Sequence, residues 1–171
     1  MSSCNLQLRK PIPPTLKLLV LLICFLGAAA VSPSFAQTKS EKRVKQVESE
    51  RTKLAKLTNP AERAKSLIKI ATIELTFAND AIAAKDMSGL NASVDEYQRT
   101  MTVARDTMIE SGLDAYKNPD GYQAIELATR SHLRILEDFS RRLSLDERPP
   151  VEKVIEMVSK IRDEIVRVLF S

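Results

Sequence analysis

The sequence NPAERAKSLIKIATIELTFANDAIAA, residues 59–84, carries the clearest helical pattern in this 171-residue chain. Its apolar side chains recur at alternating steps of three and four residues, which places them on one side of an α-helix. They are Ala64, Ile68, Ala71, Leu75, Ala78 and Ile82. The start is also typical of a helix. Asn59 offers a side-chain acceptor at the N-cap, Pro60 suits the first turn, and Glu62 stands at the carboxylate position of a capping box.

A second apolar row widens the face of this helix. It consists of Leu67, Ile70, Ile73 and Phe77. A face this wide needs more than one neighbour to cover it. The pattern therefore predicts a central helix that starts at Pro60 and meets the next helix around residues 86–89.

Three later segments repeat the same period. Their apolar rows are Leu90, Val94, Tyr97, Met101, Ala104 and Met108; then Ile125, Ala128, His132, Ile135, Phe139 and Leu143, with Leu136 beside them; and finally Val151, Val154, Val158, Ile161, Ile165 and Val168. Short connections join the segments, and prolines mark two of their starts. Short connections favour antiparallel neighbours, so residues 59–171 are predicted to form an all-α, up-down-up-down four-helix bundle.

A basic segment, residues 37–58, precedes this bundle. Its predicted helix, residues 39–57, holds seven bases and three acids, and its apolar positions are few. One interpretation is a solvated helix that packs a thin stripe on the bundle. The other is a basic arm that touches an anionic partner, such as lipid headgroups or an acidic protein.

The first 36 residues have the pattern of a secretory signal peptide. Three bases precede an uncharged apolar run at residues 18–31, and the small-residue sequence SPSFA follows at residues 32–36. This order predicts export to the periplasm or the extracellular space with cleavage after Ala36. After cleavage no stable transmembrane segment is expected. The alternative is that the apolar run is kept as an N-terminal anchor.

Cleavage would change the charge and the thiol content of the chain. Residues 37–171 hold 23 bases and 22 acids, so no nucleic-acid partner is expected. Both cysteines, Cys4 and Cys24, lie in the segment that would be removed. The exported chain would then fold without disulfides and rely on the packing of its core.

The sequence offers little of the chemistry that enzymes need. His132 is the single histidine, which excludes metal sites that require two. Neither a glycine-rich phosphate loop nor a nucleophile elbow occurs. We therefore predict no catalytic residues, no metal site, no cofactor and no enzymatic activity.

One pair of residues suggests an alternative. His132 falls on the apolar row of its helix at about the depth of Met101 on the preceding helix, and this pairing resembles the haem ligation of b-type cytochromes built as four-helix bundles. The resemblance implies a ligand or haem carrier with His132 and Met101 as candidate ligands.

The leading prediction is an exported, non-enzymatic helical-bundle protein that acts through surface interactions with a protein or an anionic envelope surface. A further alternative is a peripheral membrane or chaperone-like envelope protein that uses the basic helix at residues 39–57. The sequence leaves the oligomeric state open.

Overall fold

The computed structural model describes the backbone of residues 34–171 and the side chains of residues 39–171. Most of the predicted signal peptide, including its apolar run, lies outside the described residues. Five helices and no strands occur in the described part. They are α1 (Ser34–Leu54), α2 (Pro60–Ala84), α3 (Met87–Ile109), α4 (Asp120–Arg142) and α5 (Pro149–Leu169). The all-helical prediction is confirmed. Thr38–Ser171 form one compact unit.

The start of α2 follows its predicted chemistry in part. The Asn59 side chain accepts hydrogen bonds from the backbone N–H groups of Ala61 at 2.9 Å and Glu62 at 3.3 Å. Two of the four unpaired N–H groups at the helix start are thereby satisfied. The Glu62 carboxylate bonds to Lys65 Nζ at 3.0 Å and leaves the capping box incomplete.

Two residues join α2 to α3, and they end one helix and start the next. Lys85 adopts a left-handed conformation with φ of 57°. The N–H groups of Lys85 and Asp86 bond to carbonyl oxygens in the last turn of α2. Asp86 then caps α3 by accepting from the N–H of Gly89 at 2.9 Å. Lys85 and Asp86 therefore supply the C-cap of α2 and the N-cap of α3.

The last turn of α3 is satisfied from a different helix. The Tyr122 hydroxyl of α4 lies 2.9 Å from the carbonyl oxygen of Met108 and 3.0 Å from that of Leu113, and it donates to these groups. Gly121 lets the two helices approach, because a β-carbon there would lie 2.3 Å from the Met108 sulfur. The start of α4 is therefore held against the end of α3 by hydrogen bonds and close packing.

The main core confirms the apolar row of α3 completely and that of α5 almost completely. All six predicted residues of α3 are buried, as are the first five of α5, while Val168 is half-buried. In α2, Ile68 and Ile82 are half-buried at the margin of the same core.

The row predicted for α4 is wrong at two positions. Thr129 and Leu136 are fully buried, whereas Ala128 and Ile135 are only half-buried. A threonine is tolerated in this core because its hydroxyl donates to the carbonyl oxygen of Glu126 at 2.9 Å. The inward stripe therefore runs 125, 129, 132, 136, 139, which polarity alone did not indicate.

Helix α2 is central, as its wide face predicted. It packs against α3 and α4 on one side, while α5 packs against α4 and α3. Its second row, with Ile70 and Ile73 buried and Phe77 half-buried, meets Val47 of α1 in a separate small cluster.

Helix α1 differs from the prediction in its bounds. A helix over residues 39–57 was expected, whereas α1 ends at Leu54 and residues 55–57 continue as turns. The tighter bonds there, from Lys56 N–H to Lys53 and from Leu57 N–H to Leu54, lead the chain into the cap at Asn59.

Two leucines, one on and one off the predicted apolar rows, differ in burial. Leu75 of α2 is 2% exposed and Leu127 of α4 is 60% exposed. We expect Leu75→Asp to lower the free energy of unfolding by at least about 4 kcal/mol, because it removes core contacts and buries a carboxylate. The matched change Leu127→Asp should alter it by about 1 kcal/mol or less. Urea denaturation of both variants tests this, and equal stabilities would contradict the assigned core.

Candidate functional site

His132 lies at the junction of three helices. Its side chain is 3% exposed, and its ring nitrogens face residues from α2 and α3. Nε2 lies 3.1 Å from the Thr72 hydroxyl, and Nδ1 lies 3.2 Å from the Tyr97 hydroxyl. The Tyr97 and His132 rings meet edge to face with centroids 5.5 Å apart. The histidine therefore links α4 to both of its neighbours.

The hydrogen bonds around His132 fix its tautomer. The Thr72 hydroxyl has one proton, and it donates this proton to the carbonyl oxygen of Ile68 at 2.8 Å. Thr72 must then accept from His132, which places the ring proton on Nε2. Nδ1 carries the lone pair and accepts from the Tyr97 hydroxyl. Each polar atom of the three side chains thus has a defined role.

Burial keeps this group uncharged near neutral pH. It lowers the pKa of His132 to about 4 and raises the pKa of Tyr97 well above its usual value. The cause in both cases is loss of water around the charged form. The imidazole is consequently a neutral structural group that donates once and accepts once.

This arrangement bears on the predicted haem ligands. Ligation needs an imidazole lone pair, and the Nδ1 lone pair of His132 already accepts a hydrogen bond from the Tyr97 hydroxyl. Met101 is fully buried one turn after Tyr97 on α3. The α3 residue that hydrogen-bonds to His132 is Tyr97. Haem binding through His132 and Met101 stays a prediction, and it requires Tyr97 to release Nδ1.

Two further observations concern metal sites and membrane-spanning helices in the described part of the chain. Within that part of the chain, no three His, Cys, Asp or Glu side chains come together in a way that suits a metal ion. None of the five helices is both long enough and apolar enough to cross a membrane.

Helix α1 is held by one buried side chain and a set of polar contacts. Val47 is the apolar anchor. Arg43 pairs with Asp80 of α2, and Arg51 Nη2 lies 2.7 Å from Glu96 Oε1 of α3. Exposed ion pairs contribute about 1 kcal/mol or less each, so this attachment is weak compared with the core.

Glu50 provides the most complete of these polar contacts. Its carboxylate accepts from the Ser66 hydroxyl at 2.7 Å and lies 3.7 Å from Lys69 Nζ. The Ser66 hydrogen bond is the main cause of the lowered pKa of Glu50. Because Ser66 is buried on α2, this contact sets the position of α1 along α2.

An incomplete seam remains between α1 and α2. A cleft of about 450 Å³ is lined by Val44, Phe77 and the buried side chain of Glu74. Burial raises the pKa of Glu74, and the charge of Glu96 raises it further. This seam lacks the dense packing of the α2–α3 interface.

The opposite side of α1 carries a stripe of lysines. Lys42, Lys45, Lys53 and Lys56 are all exposed. At 100° per residue the three within α1 share one face, together with the uncharged Ser49. The three acids of residues 39–57, Glu41, Glu48 and Glu50, fall outside this arc. We call Lys42, Lys45, Lys53 and Lys56 the lysine stripe.

Comparisons with known proteins add no assignment. No family model, no curated protein and no solved structure matches this chain.

Sequence reasoning singled out His132 but missed its partners. Tyr97 was placed on the apolar row of α3, and its hydroxyl gave no sign of its acceptor. Thr72 falls between two apolar positions of α2 and is exposed as a whole residue. One signal was present: a histidine on an apolar row needs hydrogen-bond partners, and tyrosine was the one hydroxyl-bearing residue on the row of α3.

The buried imidazole should make stability depend on pH. The folded pKa of about 4 lies below the ordinary value of 6.5, so the unfolded chain binds the proton more tightly. Stability from this group is complete above pH 6.5 and is lost as the pH falls toward 4. We expect the stability advantage of wild type over His132→Gln to shrink by about 3 kcal/mol between pH 7 and pH 4.

Chemical denaturation of both proteins at each pH measures this difference. Contributions from Glu50 and Glu74 cancel, because both proteins carry them. A difference that does not change with pH would contradict a buried, neutral His132.

Proposed function

We propose that this chain is an exported, non-enzymatic helical-bundle protein that engages an anionic partner surface through the lysine stripe. The observation that carries the proposal is the division of α1 into two sides. Val47 and the polar contacts of Arg43, Glu50 and Arg51 face the bundle, while the stripe faces solvent without an interrupting acid. Such single-sign surfaces attract anions over distances of about 8 to 10 Å.

The absence of free apolar surface on the stripe argues for an electrostatic contact. The apolar side chain that α1 buries, Val47, is already used against α2. Contact with headgroups or acidic side chains is therefore favoured over insertion of α1 into a bilayer. Each lysine near an anionic membrane contributes about 1 kcal/mol, so four lysines support reversible attachment.

The same proposal includes the topology and the lack of catalysis. We propose that α2–α5 form an up-down-up-down bundle, supported by the two-residue α2–α3 connection and the short link between Arg142 and Pro149. The non-enzymatic assignment is supported by His132, whose lone pair and proton both serve internal hydrogen bonds. Export rests on the sequence pattern of residues 1–36.

Binding to vesicles tests the lysine stripe. The protein is purified from the envelope fraction. Its intact mass is expected to correspond to a chain that begins at Gln37. We expect it to sediment with phosphatidylglycerol-containing vesicles and not with pure phosphatidylcholine vesicles. Raising the salt from about 0.05 M to about 0.5 M should release it. The variant Lys42→Gln/Lys45→Gln/Lys53→Gln should bind about a hundredfold more weakly.

A charge-matched control separates the stripe from net charge. Lys117→Gln/Lys153→Gln/Lys160→Gln removes three exposed lysines elsewhere and should bind like wild type. Equal losses in both variants would contradict a specific stripe. If vesicles are not bound but crosslinking in the native envelope captures an acidic protein that depends on the stripe, the partner is that protein. Retention of all lipid binding and all crosslinks by the stripe variant would refute the proposal.

A further inference from the structure

A second cleft lies between α4 and α5. It is a cleft of about 440 Å³, bordered by the start of α4, the end of α5 and the segment that precedes α4. This volume is within the range of small-molecule sites, which runs from about 300 to 1,000 Å³. Charged side chains form one part of its lining and apolar side chains form the other.

The charged part is built on Glu126. This residue is 9% exposed, and its Oε1 accepts from Arg130 Nη2 at 2.6 Å and from Arg130 Nε at 3.1 Å. Arg162 of α5 approaches the same oxygen, but its Nε stays 3.8 Å away. That distance is too long for a hydrogen bond. Glu126 is thus hydrogen-bonded to Arg130. Arg162 is a second cation close to the Glu126 carboxylate.

The Nε–H of Arg162 is a buried donor without an acceptor in the described part of the chain. A buried polar group in this state is destabilising, and it is more so when the group is charged. The Nε atom itself is closed to solvent, but the Arg162 side chain is 39% exposed and lines the cleft, so an anion there can pair with the rest of its guanidinium group. Arg130, Arg162 and Glu126 together leave one net positive charge, so a monoanion matches the cleft better than a dianion such as phosphate.

The apolar part of the cleft carries the two most exposed aromatic residues of the described chain. Tyr116 is 92% exposed and Phe170 is 84% exposed. A turn holds Tyr116 in place, because its N–H donates to Asp114 Oδ1 at 2.9 Å. Phe170 follows the last turn of α5, where its N–H bonds to Val166. Large aromatic groups left in water beside a cleft offer surface to an apolar ligand.

We propose that this cleft binds a small amphipathic monocarboxylate. The carboxylate pairs with the exposed part of the Arg162 guanidinium group, and the aromatic or aliphatic body packs against Tyr116 and Phe170. This function goes beyond the lysine stripe and does not depend on it. A neutral ligand of the same shape forms no ion pair with the Arg162 guanidinium group and binds more weakly.

The test uses 3-phenylpropionate as the probe and 3-phenylpropan-1-ol as its neutral counterpart. Each is titrated into the exported chain and followed by nuclear magnetic resonance of the backbone amides and the arginine Nε–H groups. We expect saturable shifts at Tyr116, Phe170 and Arg162 Nε–H with the acid, and binding about tenfold weaker with the alcohol. Octanoate, an aliphatic monocarboxylate, should compete for the same site.

Three variants define the contributions. Arg162→Gln should weaken binding of the acid by about tenfold and abolish its preference over the alcohol. Tyr116→Ala should weaken the binding of the acid and of the alcohol equally. Because Tyr116 is highly exposed, this change should not unfold the protein. Arg141→Gln, on the outer side of α4, should leave binding unchanged. The lysine-stripe variant should also bind normally, which keeps this proposal separate from the previous one.

The proposal is overturned if neither carboxylate gives saturable shifts at the cleft. It is also overturned if acid and alcohol bind equally, or if Arg162→Gln binds the acid as tightly as wild type while the amide spectrum shows an intact fold.

Discussion

Helix α2 carries apolar side chains on two sides, and both sides must be removed from water for the chain to fold. One side meets α3 and α4 in the main core, and the other meets Val47 of α1. Each fully buried leucine or isoleucine contributes about 1.5 to 3 kcal/mol, so the main core dominates the stability. The position of α2 then determines where α1, α3 and α4 lie, and α5 packs on α3 and α4.

Polar groups refine this arrangement. His132 connects α4 to Thr72 of α2 and Tyr97 of α3, and the defined direction of each hydrogen bond favours one register of the three helices. Glu50 and Ser66 do the same for α1 along α2. These contacts add little net energy individually, but an alternative packing would leave buried donors or acceptors unpaired. Specific packing therefore follows from polar contacts set within an apolar core.

Periodicity was sufficient to predict most of the helices and much of the core, because burial in a helix repeats every three or four residues. It was correct for all of α3 and for the wide face of α2. It failed at Ala128, because the buried Thr129 with its satisfied hydroxyl looks polar in the sequence, and at Ile135, which is less buried than the adjacent Leu136. The partners of His132 and the cleft were beyond its reach. Tyr116 and Phe170 are far apart in the chain, and which side chains meet across two helices depends on their rotation and register.

Native-state hydrogen exchange of the backbone amides tests the central role of α2 most directly. The account predicts that amides in the middle of α2 and α3 exchange most slowly, at the rate of global unfolding, and that amides of α1 exchange faster through local opening. Exchange of α2 amides at the rate of an unfolded chain, or stronger protection in α1 than in α2, would contradict it.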